Sequence, residues 1–178
     1  DVFPGHGQMP WLPSDIPAPL SAYGRSHLAG EQAVTAIGGT HAVLRSSWIY
    51  STWGPNFVST VLRAATSRSE LSLVADQFGC PTPATAVADA LHVIATTLMQ
   101  RPELSGTYHF AGDKTVTWAA FAREALAAAG NDTVVHGVSS DAWPSPALRP
   151  QNARLECSAT LHTFGAHSAD VTRDRKST

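Results

Sequence analysis

Three stretches of the chain repeat apolar residues at helical spacing. Phe57, Val61, Leu62 and Ala65 share a face of a helix expected from about 56 to 68. Val87, Leu91, Ile94, Ala95 and Leu98 form one stripe over 84–99. Trp118, Phe121, Ala122, Ala125, Leu126 and Ala129 form another, with Thr117 as N-cap and Gly130 as stop. Ser21 caps a fourth helix to about position 36, ended by Gly38-Gly39, in which Tyr23, His27 and Gly30-Glu31 share a face. Between the helices lie short apolar runs that predict strands: Ala42-Val43-Leu44, expected to be buried on both faces of a parallel sheet, then 71–74, 107–110 and 134–138. Strands alternating with helices give an α/β class with parallel pairing. The Gly- and Pro-rich stretch 5–20 reads as a long loop, 76–83 as a polar proline-locked loop, and the polar segment after Phe164 as a tail that frays.

Composition narrows the functions. A net charge of −2 provides no broad basic field, so nucleic acid is not expected as a partner. No apolar run approaches the ~18 residues of a membrane helix, and residues 1–5 have no signal-like region, so a soluble cytoplasmic protein is expected. Cys80 and Cys157 form neither a disulfide framework nor a zinc motif, and the eight histidines are scattered, so no metal site is expected. No Gly-rich turn of the G-x-G-x-x-G kind follows a strand, so nothing in this segment is expected to seat a dinucleotide pyrophosphate.

The stretch Tyr23-Gly24-Arg25-Ser26-His27 carries the most chemistry. A carbonyl that accepts a hydride needs a proton at its oxygen, and a tyrosine supplies it when a nearby cation lowers its pKa. A cationic side chain one turn later does this, so the pattern resembles Tyr-x-x-x-Lys, with histidine in the lysine position. Further blocks follow in order: Pro10-Trp11, Asp15 and Ala18-Pro19-Leu20 before it, Leu28-Ala29-Gly30-Glu31 after it, then R-S-S-W-I-Y over 45–50, N-F-V over 56–58, D-Q-F-G-C-P-T over 76–82, G-T-Y-H-F-A-G over 106–112, Thr117-Trp118 with Phe121-Ala122, and the proline-rich run 144–155.

In order and spacing these blocks resemble the dTDP-4-dehydrorhamnose reductases of the extended short-chain dehydrogenase/reductase family. The resemblance implies an α/β fold forming the carboxy-terminal part of a Rossmann-like enzyme with a small substrate-binding domain. Its cofactor half is then expected upstream of Asp1, leaving the segment amino-terminally truncated and inactive alone. The implied division is 1–50 for the catalytic helix and last strand of the Rossmann-like domain, 51–165 mainly for substrate binding interleaved with remaining sheet elements, and 166–178 as tail. The implied reaction is NADPH- or NADH-dependent reduction of dTDP-4-dehydro-L-rhamnose to dTDP-L-rhamnose, with a dTDP-sugar as ligand and a homodimer left open.

By position, Tyr23 matches the proton donor, and His27 stands where a lysine lowers the tyrosine pKa and holds the nicotinamide ribose. Trp48 matches a tryptophan of the sugar pocket, with a core role as the alternative. Asn56, Arg149 and Asn152 are carried over as substrate-binding candidates, Arg149 and Asn152 being equally suited to pinning loop carbonyls. A non-catalytic regulatory protein on the same fold, like the methionine adenosyltransferase β subunit, suits the segments 15–20 and 149–153. It does not suit Ser47-Trp48-Ile49-Tyr50 or the D-Q-x-G-x-P-T block.

Overall fold

The computed structural model describes residues 1–142 and 147–167. The expectations for the tail from 168 onward and for 144–146 of the proline-rich run lie outside the described residues. The helices are α1 (Ala22–Ile37), α2 (Phe57–Ala65), α3 (Ala84–Gln100), α4 (Trp118–Ala128) and α5 (Ser158–Phe164). The strands are β1 (Ala42–Arg45), β2 (Ile49–Tyr50), β3 (Glu70–Val74), β4 (Phe78–Gly79), β5 (Thr82–Pro83), β6 (Gly106–His109), β7 (Val116–Thr117) and β8 (Val134–Val138).

Among the described residues the strands pair two by two. β1 runs parallel to β6, β2 to β5 and β3 to β8, whereas β4 and β7 are antiparallel. Two apolar cores result. In one, Val61 and Ala65 of α2 meet Ala119, Ala122 and Leu126 of α4 over Leu71 of β3 and Val135 of β8. In the other, Ala90, Ile94 and Leu98 of α3 and Phe164 of α5 pack on Leu44, Tyr108 and Phe110. The four two-residue strands lie along the chain between the elements of these two cores.

Local chemistry explains the ends of the helices. Ser21 Oγ accepts from Gly24 N at 3.1 Å at the start of α1. Asn56 and Ser59 form a reciprocal capping box at α2. Thr117 caps α4 through Ala120 N. In α3 the buried face is Ala90, Ile94 and Leu98, while Leu91 and Ala95 are exposed, so the predicted stripe is rotated toward Ala90. β1 is parallel as expected but only half-buried, because β6 is its one strand partner among the described residues. The loop expected over 76–83 contains β4 and β5, and α5 replaces part of the region with no expected element. Both kinds of element are too short to show a period.

His109, at the end of β6, is fully buried in the second core. Its ring Nδ1 lies 3.0 Å from the Trp11 carbonyl, and Phe3 meets it edge-on. Burial, aided by the charge of Arg45, pushes its pKa down to about 4 from an ordinary 6.5. Between those values the unfolded chain takes up a proton that the folded chain refuses, so stability falls as pH drops from 6.5 toward 4. The loss amounts to about 3 kcal/mol by pH 4, several degrees of melting temperature for a domain of this size. Melting curves at pH 7 and pH 4.5 should therefore show a larger acid loss for the native protein than for His109→Gln. Equal losses would remove His109 as the cause.

Candidate active site

The helix that carries the tyrosine is anchored at few points. Gly24 is its one fully buried residue, because the helix start lies against the first segment. A Cβ on Gly24 would sit 2.3 Å from the Asp1 carbonyl oxygen and 2.8 Å from Pro19 Cβ. Two turns on, Glu31 accepts from Arg45 Nε at 3.0 Å and from Nη2 at 2.7 Å, with both side chains largely buried. This forked pair ties α1 to β1. The Arg45 guanidinium also covers the Phe3 ring at 5.0 Å, and Phe3 stacks on Trp11 at 4.9 Å. With its far side so held, α1 turns Tyr23 outward, and the tyrosine ring lies 4.2 Å from the ring of His27.

Trp48 is held in an unusual backbone state. Its φ of 45° is the one positive value at a non-glycine residue among those described. For a bulky side chain this costs about 1–3 kcal/mol and persists only where neighbours over-determine it. Three features do so. Thr82 donates its backbone N–H to the Trp48 carbonyl at 3.1 Å, and its buried hydroxyl donates to Ser47 O at 2.6 Å and accepts from Gly112 N. The indole stacks on Trp118 at 3.5 Å. Gly79 leaves the space that the indole needs, since a Cβ there would come within 2.3 Å of the ring. The glycine and threonine of the 76–82 block thus serve to place Trp48.

The same block begins with Asp76, which binds the turn after β8. It accepts from Ser140 N at 2.9 Å, Ser140 Oγ at 3.0 Å and Ser139 Oγ at 3.2 Å. Burial pushes the Asp76 carboxyl upward, but these hydrogen bonds outweigh it and hold the group below its usual range. Asn152 is buried and sits at another junction. Its side chain donates to Met9 O at 2.7 Å and accepts from Arg154 Nε at 2.8 Å, while its backbone donates to Gly5 O and accepts from Trp11 Nε1.

These elements enclose three adjoining spaces. A central cavity of about 580 Å³ is lined by Tyr23, Ser46, Trp48, Trp118, Arg149 and Asn152, among others. A second, of about 630 Å³, has Phe57, Leu73 and Val74 on its walls and shares Gln77, Trp118, Leu148 and Arg149 with the first. A groove of about 630 Å³ runs along α1 past Tyr23, His27 and Glu31, and shares Tyr23 and Ser46 with the central cavity. Tyr23 therefore stands where the groove and the central cavity meet. The Ser46 hydroxyl at the same boundary is buried and has no hydrogen-bond partner among the described residues.

The structure brings together Tyr23, His27, Trp48, Arg149 and Asn152 around these spaces. Asn56 is apart from them: its carboxamide donates to Ser51 O at 2.6 Å and caps α2 through Ser59, and its neighbour Phe57 supplies the cavity wall. Two lining residues were not singled out by the sequence. Trp118 lies in the apolar stripe of α4, but as the first helical residue it reaches the cavity mouth. Gln77 is a buried polar residue between a strand and a proline-locked turn, and that position was the available signal.

Comparison with known proteins follows the same lines. The family described as the RmlD substrate binding domain matches residues 1–177. A dTDP-4-dehydrorhamnose reductase of Sinorhizobium fredii is 41% identical over 170 residues, covering 92% of this chain and 57% of that protein. The crystal structure of a dTDP-4-dehydrorhamnose reductase from Clostridium acetobutylicum superposes with a TM-score of 0.86 at 30% identity, over 95% of this chain and 58% of that one. The enzyme of the same name from Bacillus anthracis, solved in complex with NADP, gives 0.82 at 30% identity over 98% and 59%. The chain thus spans a little over half the length of the relatives it matches.

Gly79 lies directly against the Trp48 indole, so the effect of a side chain there can be stated. Gly79→Ala should push the indole off Trp118, lower stability by about 1–3 kcal/mol as overpacking does, and weaken the near-ultraviolet circular dichroism of the stacked pair. An unchanged spectrum and melting temperature would show that Trp48 does not depend on Gly79.

Proposed function

The chain belongs to the RmlD substrate binding domain family, and on that premise we propose that it forms the substrate-binding and proton-donating part of an NAD(P)H-dependent reductase converting dTDP-4-dehydro-L-rhamnose to dTDP-L-rhamnose. One observation supports the reading most: Tyr23 lies at the boundary between the central cavity and the α1 groove, with His27 one turn away. A sugar in the central cavity and a nicotinamide in the groove would meet at the phenol. The rival non-catalytic reading has less support, because Trp48 and Gln77, from the two blocks that do not suit it, both line the cavity.

The groove suits the nicotinamide end of the cofactor, since Tyr23, His27 and the unpartnered Ser46 hydroxyl all border it. The cofactor, NADPH or NADH, supplies a hydride when bound. The residues of this chain manage the proton and the orientation. Tyr23 donates its phenolic proton to the sugar C4 oxygen as negative charge develops there. His27 lies one turn away, where it hydrogen-bonds the ribose and orients the phenol. Trp48 and Trp118 form the wall against the sugar, and Arg149 pairs with the anionic diphosphate. Asn152 acts by fixing the loop beside it. Asn56 acts through Phe57, whose position its cap sets. We place the reaction in the cytoplasm, where the free Cys80 and Cys157 stay reduced.

Joined to the amino-terminal half of a relative, the chain should oxidise NADPH when given dTDP-4-dehydro-L-rhamnose. Tyr23→Phe should cut turnover by roughly 10²–10⁴-fold, the usual share of a general acid. His27→Lys, which places a permanent cation on a longer stem one turn from Tyr23, should raise turnover. A folded protein that binds both ligands yet turns over equally with phenylalanine at position 23 would refute the assignment.

A further inference from the structure

Gln77 is 7% exposed, and its carboxamide forms no hydrogen bond with any described residue. The described buried polar atoms that lack a partner do not include its amide, so the carboxamide opens onto the cavities it borders. Its neighbours show that the placement is not slack. Asp76 on one side is fixed by Ser139 and Ser140, and Phe78 on the other donates its backbone N–H to Gln151 O at 2.7 Å and accepts at its carbonyl from Ala153 N at 2.8 Å. The Gln77 backbone is thus pinned at both ends, and its side chain borders the central cavity and the Phe57 cavity together.

The two cavities differ in chemistry. The Phe57 cavity has apolar walls from Phe57, Leu73, Val74 and Trp118, suited to a planar base. The central cavity carries the hydroxyls of Ser21, Tyr23 and Ser46, suited to a sugar. The residues on the wall common to both include Gln77 and Arg149, and Arg149 is the one arginine or lysine bordering either space among the described residues. A ligand with a base at one end, a sugar at the other and an anion between them would place its anion at this wall. A carboxamide N–H held rigidly there is a neutral second donor beside the guanidinium.

We propose that Gln77 is a ligand-binding residue whose carboxamide N–H donates to the diphosphate of a nucleotide sugar lying across the two cavities. This rests on the reading of the site given above. It accounts for a carboxamide that opens onto both cavities with no partner among the described residues, because the partner is the ligand. It also accounts for the rigid mounting of Gln77, since a donor fixed in advance loses little freedom on binding.

Calorimetry of the chain with dTDP tests the idea, using Gln77→Met, which keeps the length without the donor, and Gln77→Glu, which adds a negative charge. Gln77→Met should bind dTDP roughly tenfold more weakly than the native chain, and Gln77→Glu roughly a hundredfold more weakly. UDP should suffer the same relative loss as dTDP, since the diphosphate is common to both. The melting temperature of Gln77→Met should stay level or rise, because no protein hydrogen bond is lost. Affinity of Gln77→Met within twofold of native overturns the proposal while leaving the general function standing. So does a loss confined to dTDP, which would assign Gln77 to the base, or a fall in melting temperature that parallels the loss of binding. Failure of the native chain to bind dTDP at all would overturn the nucleotide-sugar reading itself.

Discussion

The site depends on a knot between segments about 140 residues apart in sequence. The first 20 residues have no helix and no named strand, and a loop of that length is held by what it touches. Its main partner is the run 150–156. Trp11 donates its backbone N–H to Arg154 O at 2.9 Å and accepts from Glu156 N at 2.8 Å, and Asn152 N donates to Gly5 O at 2.7 Å. Asn152 adds its side chain to Met9, and Arg154 reaches Gln8 O. These bonds set Phe3 and Trp11 as one side of the central cavity and bring the Arg149 loop over it. Because the closure joins distant parts of the chain, each bond in it depends on the others being made.

From the knot, order passes to Tyr23 and Trp48 through two further constraints. On one side the segment at Asp1 and Pro19 receives Gly24, and the Glu31–Arg45 pair fixes the next turns, so Tyr23 is aimed from a helix that is otherwise largely in solvent. On the other side Phe78 pairs with both Gln151 and Ala153, which ties the 76–82 block to the knot, and that block carries the glycine and threonine that clamp Trp48. The strained backbone of Trp48 is the local expense of this arrangement, and it faces the cavity, where such strain is most often found. Tyr23 is thus mounted on α1 and Trp48 on the segment after β1, while Phe57 and Leu73 of the adjoining cavity wall are mounted on the first core.

Much of this was legible in the sequence. Ser21 and Thr117 read as caps and α2, α3 and α4 as apolar stripes, and the R-S-S-W and D-Q-F-G-C-P-T blocks pointed to Trp48 and its surroundings. The parts that were not legible share a cause. β2, β4, β5 and β7 are two residues each, and α5 is seven, so tertiary pairing defines them and no periodic signal does. The face of α3 was misplaced by one position because Leu91 suits a core in type while the helix rotation buries Ala90. Trp118 matched the stripe of α4, and nothing in a stripe says that its first member reaches a cavity. Asn56 shows the opposite: a motif residue beside the cavity wall whose side chain is spent on a helix cap.

Under the proposed function, a nucleotide sugar occupies a cleft walled by the stacked Trp48 and Trp118. The indole N–H resonances of the chain, followed by nuclear magnetic resonance during titration with dTDP-L-rhamnose, report on that occupancy. Trp53, 85% exposed and outside all three spaces, serves as the internal control. The Trp48 and Trp118 signals should move together along one saturating curve while Trp53 stays still. Unmoved signals for Trp48 and Trp118 at saturating ligand, or a shift confined to Trp53, would contradict it.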